Sequence, residues 1–80
     1  MDKRLLQRYL GEVEEQVDRV RMQVARQATL LRLMNRENRD VTIAVSLMME
    51  FESAASTLEK LRDFILRQLG DEVLSGAGDD

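Results

Sequence analysis

From Leu6 to Met34 the chain repeats at alternating steps of four and three: Leu6, Leu10, Val13, Val17, Val20, Val24, Gln27, Leu31 and Met34. Such steps put all of these residues on one stripe of an α-helix. Leu10, Val17, Val24 and Leu31 fill the a row of a heptad, and Leu6, Val13, Val20, Gln27 and Met34 fill the d row. Eight of the nine are apolar, and a stripe kept up over about four heptads is the mark of a helix laid along another helix. A first helix over residues 2–36 is expected, with the Asp2 side chain accepting from a first-turn backbone N–H as its N-cap. Near the end of this helix Ala28, Leu30 and Leu33 widen the stripe, which fits a bundle better than a plain two-stranded coil.

The pattern breaks once, at Asn35-Arg36-Glu37-Asn38-Arg39-Asp40. Asn38 suits the left-handed conformation that ends a helix, and Asp40 suits the N-cap of the next. The phase changes across this stretch. The second half carries its own seam of Ala44, Leu47, Phe51, Ala54, Leu58, Leu61 and Ile65, with Val41, Met48, Ala55 and Leu69 beside it. A turn at 37–39 and a second helix over 40–69 follow. The competing arrangement is one continuous helix of roughly 100 Å, at 1.5 Å per residue. Small Ala54 and Ala55 next to Phe51 and Leu58 favour close packing against Val17, Val20 and Val24. Arg67 suits the negative end of the helix dipole and Gly70 the residue just past it. Residues 71–80, acidic and glycine-containing, read as a mobile tail.

Composition sharpens this picture. With no proline, four glycines and 34% charged against 44% apolar residues, the chain is a helical protein rather than a disordered one. Eighty residues form one small domain able to bury only about 60% of its unfolded surface, so a second copy or another partner is expected. Cysteine and histidine are both absent, which excludes disulfides, thiolate metal sites and the usual nucleophile–base pairs. Residues 1–8 lack the continuous apolar core of a signal peptide, and no run approaches the ~18 apolar residues of a membrane span. A cytoplasmic protein without a membrane partner is the expectation.

The net charge of −3 argues against general nucleic-acid binding. Its distribution is uneven, because six arginines against Glu37 alone give +5 between residues 19 and 39. Among these, Arg26, Arg32, Arg36 and Arg39 are a candidate basic contact surface near the turn. The acids Glu50, Glu52, Glu59 and Asp63 lack the histidine partners of a bundle di-metal site and read as solvated faces. No cofactor or metal is expected. Gln27, the one polar residue of the first seam, either fixes register from inside or lies at the bundle margin. Gly11 marks either close backbone approach or an exposed site. Met34 and Met48 read as core filling, Met22 and Met49 as surface.

Arg26-Gln27, Leu30-Leu31, Leu33 and Arg36, then Asp40-Val41, Ala44, Leu47-Met48 and Phe51-Glu52, and finally Leu61-Arg62-Asp63, Leu66 and Leu69 form a recognisable order. Over roughly residues 12–69 the chain resembles a family of small uncharacterised alphaproteobacterial helical-hairpin proteins. In these a glycine-histidine-aspartate turn joins two helices; here Asn38 and Arg39 stand in place of the glycine and histidine. The resemblance implies the hairpin and no particular activity.

The expected architecture is an all-α antiparallel hairpin that dimerises into a four-helix bundle. Two helices cannot cover both their facing rows and the further apolar positions Tyr9, Leu30, Ile43, Met48 and Phe64, so an apolar face remains for association. The expected role is a non-enzymatic protein–protein interaction module acting as a homodimer. Two alternatives are a secretion-type chaperone holding an amphipathic partner helix, and a regulatory or nucleic-acid-associated factor using the arginine-rich turn.

Overall fold

A computed structural model of the protein describes the backbone of residues 2–79 and the side chains of residues 2–71. It contains two helices, α1 (Lys3–Arg36) and α2 (Thr42–Asp79), which fold back on one another into an antiparallel hairpin of 65 × 14 × 14 Å. The continuous-helix alternative does not occur.

Both helix starts and the turn follow local chemistry. Asp2 sits in extended backbone, and its side-chain Oδ1 accepts the Arg4 N–H at 2.9 Å, supplying one of the partners that a first turn lacks. At the other end of α1 the Arg39 N–H reaches back to the Met34 carbonyl (2.9 Å) and the Asn38 N–H to that of Asn35 (3.1 Å). This pair of bonds is the Schellman arrangement, and it requires a left-handed residue just past the helix end, which donates the shorter-range bond of the two. Asn38 is that residue, with φ of 56°. Asp40 then accepts both the backbone N–H (3.0 Å) and the hydroxyl (2.7 Å) of Thr42. These two bonds hold its carboxyl below the usual aspartate pKa, the Thr42 hydroxyl contributing most. A lowered pKa means that the charged cap is in place at neutral pH and weakens only as pH falls through that lowered value.

Burial confirms the seam of α1. Leu6, Val13, Val17 and Gln27 are buried, and Leu10, Val20, Val24, Leu31 and Met34 are half-buried against α2. The inward stripe of α2 differs by one row from the expected one. It runs Val41, Ala44, Met48, Phe51, Ala55, Leu58, Arg62, Ile65 and Leu69, all buried or half-buried. Leu47, Ala54 and Leu61, expected to face inward, are exposed instead. The half-row at Ala44, Phe51, Leu58 and Ile65 is as expected; the neighbouring half-row lies one residue further along the chain. Arg62 fits there because its methylenes pack inward while its guanidinium turns to Asp63, 3.3 Å away.

The end of α2 also departs from expectation. The helix does not stop near residue 69 but continues through Gly70 to Asp79. Gly70 keeps helical backbone with no positive φ, so it is not a terminating residue, and Arg67 is not in the last turn. Residues 71–79 are therefore helical where a separate tail was expected; the side chains of residues 72–80 and the backbone of Asp80 lie outside the described part.

Hydrophobic burial in the half of the hairpin away from the turn joins Leu6, Val13, Val17 and Ile65 into one cluster, with Leu10, Leu58 and Leu69 packed on it. Nearer the turn, small Ala44 lets α2 approach α1, and Gln27 closes the contact from inside. The Gln27 side chain is 8% exposed, and its Nε2 donates to the Ala44 carbonyl oxygen at 2.8 Å. The buried reading of Gln27 is thus the observed one. Gly11 has no neighbour within 4 Å of where a Cβ would lie, so it occupies an exposed site rather than a close approach.

Candidate functional site

A two-helix hairpin has two broad faces, and here they differ in chemistry. On one face Arg21 of α1 reaches across to α2 and donates from Nε and Nη2 to Glu59 Oε1, at 3.0 and 2.6 Å. Leu31, Arg32, Asn35, Val41 and Val45 line a hollow on the hairpin near the turn. We call the side bridged by Arg21 and Glu59 the paired face.

The other face has no such bridge among the described residues. Towards the turn, Leu30, Met34, Ile43 and Leu47 line an open groove floored by Gln27 and Ala44. Towards the chain termini, Tyr9, Leu61 and Phe64 line a second groove over Leu6, Val13 and Ile65, with Glu12 and Gln16 at its edge. Tyr9 and Leu30 on α1, like Ile43 and Phe64 on α2, are separated by three whole heptads, and Leu47 and Leu61 by two. Whole heptads return to the same side of a helix, so both grooves belong to one continuous face. Its most exposed apolar side chain is Ile43, at 77%, and Phe64 is 46% exposed. Between the grooves lie Gln16 and Gln23 on α1, and Glu50, Ala54 and Thr57 on α2, all exposed.

Of the residues that the sequence marked as surplus to a two-helix core, Tyr9, Leu30, Ile43 and Phe64 do line this face, whereas Met48 is in the inward stripe. Leu47 and Leu61, placed in the inward seam by the sequence, complete the face instead. The signal that could have found them is a second heptad stripe on α2, Ile43, Leu47, Ala54, Leu61 and Phe64, running beside the first.

The candidate basic residues are all exposed at the turn end. Arg32 Nη2 donates to Thr29 Oγ1 at 3.2 Å, and Arg39 pairs with Glu37 at 3.7 Å. Met22 and Met49 are exposed, as expected. Among the described residues no group of three or more acidic side chains is placed to hold a metal ion, and no helix is long and apolar enough to cross a membrane. Glu59 is engaged by Arg21 rather than by another carboxylate.

Comparison of the chain with protein-family models, with curated proteins and with solved structures gave no match. The open face is therefore the feature on which a functional reading rests.

Proposed function

We propose that the protein is a non-enzymatic association module that pairs with a second copy of itself through the open face, closing a four-helix bundle. The observation that carries this reading is the face itself. The large apolar side chains of Tyr9, Leu30, Ile43, Leu47, Leu61 and Phe64 are unneeded by the hairpin core and are arranged in two grooves along one side. Apolar side chains gathered on one side in this way are the usual mark of an interaction site on a small protein. Its size fits a specific interface. From Ile43 to Phe64 the stripe is roughly 32 Å long at 1.5 Å per residue, and two helices give it a width of roughly 20 Å. The footprint of about 600 Å² per copy approaches the ~800 Å² that standard interfaces bury on each partner.

A second copy is the natural occupant because the paired face is tied across by the Arg21–Glu59 pair, while the open face offers apolar bulk that another identical face can cover. The test is absolute mass by light scattering across a concentration series. The expected result is a constant mass of twice 9.2 kDa. A constant mass of one chain at all concentrations overturns the reading.

A further inference from the structure

Resting on that dimeric reading, we infer that the two copies lie antiparallel, each helix stacked on its own counterpart, with the two-fold axis crossing the hairpin beside Ala54. The open face carries the reason in its residue order. Along α2 it reads Ile43, Leu47, Glu50, Ala54, Thr57, Leu61, Phe64, which is large, large, polar, small, polar, large, large. Along α1 it reads Tyr9, Gln16, Gln23, Leu30, with two amides between two apolar ends. Both rows keep their character when read backwards. That is the condition for a two-fold contact in which a helix meets its own copy, since the same patch must complement itself end for end.

The two rows also share one centre. The midpoint of Ile43 and Phe64 falls between Ser53 and Ala54, and that of Tyr9 and Leu30 between Arg19 and Val20. Within the hairpin Gln27 meets Ala44 and Leu6 packs with Ile65, so these midpoints lie within about half a helical turn of one level. A single axis can therefore serve both helices. The smallest side chain of the α2 row, Ala54, lies at that axis, where the two backbones come closest.

Shape and charge favour this arrangement over the other two-fold, in which the turn ends coincide and α1 stacks on the partner's α2. The antiparallel pair sets the aliphatic groove of one copy against the aromatic groove of the other, Ile43 over the partner's Phe64, and so keeps the helix separation even. The alternative brings all four copies of Tyr9 and Phe64 to one end and leaves the thinner aliphatic groove at the other. In the antiparallel pair Glu12 comes opposite the partner's Arg26. It also separates the two arginine-rich turns, whereas the alternative places Arg26, Arg32, Arg36 and Arg39 of both copies together.

The absence of native cysteine makes single-cysteine variants clean reporters. A disulfide needs Cα atoms within about 7 Å, which discriminates between the two arrangements. Ala54→Cys, Ile43→Cys, Phe64→Cys and Leu30→Cys all fall at exposed positions, and circular dichroism is the check that each variant remains helical. Under oxidised glutathione, Ala54→Cys is expected to link to itself, and mixed Ile43→Cys and Phe64→Cys chains are expected to form the heterodisulfide. A dimer by mass in which Ile43→Cys links instead to Leu30→Cys overturns the orientation while leaving the dimer in place. A dimer in which none of these pairs links also overturns the orientation. A monomeric mass overturns the dimeric reading itself, so the two failures are told apart by the light-scattering result.

Discussion

The paired face and the open face are built on the same two helices, yet they handle surplus side chains in opposite ways. Across the paired face Arg21 and Glu59 satisfy each other, at solvent-exposed positions where an ion pair contributes only about 0–1 kcal/mol. Across the open face the described residues form no ion pair; Gln27 bonds to Ala44 beneath the turn-end groove, and the large surplus side chains are apolar. Fully covering one large aliphatic or aromatic side chain contributes about 1.5–3 kcal/mol, so even partial cover of several of them outweighs the ion pair. One face therefore adjusts a single hairpin, and in the proposed dimer the other would supply most of the free energy for joining two.

This contrast can be broken at three depths. The largest effect is expected from Phe64→Glu. Phe64 is 46% exposed in the single hairpin, so a carboxylate there stays in water until a second copy covers it, and burying an unpaired charge costs several kcal/mol. The variant should be fully helical with half the mass in light scattering; an unchanged mass would place the contact elsewhere.

An intermediate effect belongs to Gln27→Leu, beneath the turn-end groove. The Ala44 carbonyl lies within the helical ladder of α2, so removing the Gln27 donor leaves no buried group stranded, while leucine adds apolar burial. A rise in melting temperature on the order of 5 °C is expected for each kcal/mol gained in a domain of this size, measured by thermal circular dichroism. A fall would show that the Gln27 bond outweighs the buried methyls.

The smallest effect is expected from Arg21→Ala on the paired face. Stability should drop by no more than about 1 kcal/mol, with mass unchanged. Dissociation of the dimer by this variant would reverse the roles of the two faces.

The first helix was legible because its apolar stripe serves one contact. Val13 and Val17 have polar residues on both sides, and periodicity alone identifies which side is inward. Helix α2 was legible only in part because it carries a second apolar stripe beside the inward one. Its Ala44, Phe51, Leu58 and Ile65 row is shared by every reading, but apolar residues flank that row on both sides. Leu47, Ala54 and Leu61 on one flank stand against Met48, Ala55 and Arg62 on the other, and only the last pair differs clearly in polarity. Choosing the more apolar flank as the inward one therefore picks the wrong side: that flank is exposed on the open face, and the flank against α1 accommodates the half-buried Arg62. The turn was readable in detail, since Asn38 and Asp40 act through their own backbone neighbours. Gly70 misled because glycine stops a helix only where a positive φ is imposed, and nothing at that point imposes one.

The position of Tyr9 has an optical consequence. The chain has one tyrosine and no tryptophan, and that tyrosine lines the groove beside Phe64. The chain's tyrosine emission thus comes from a single ring on the open face, and closure of that face by any occupant changes the surroundings of that ring. The protein carries its own unlabelled indicator of whether the face is covered.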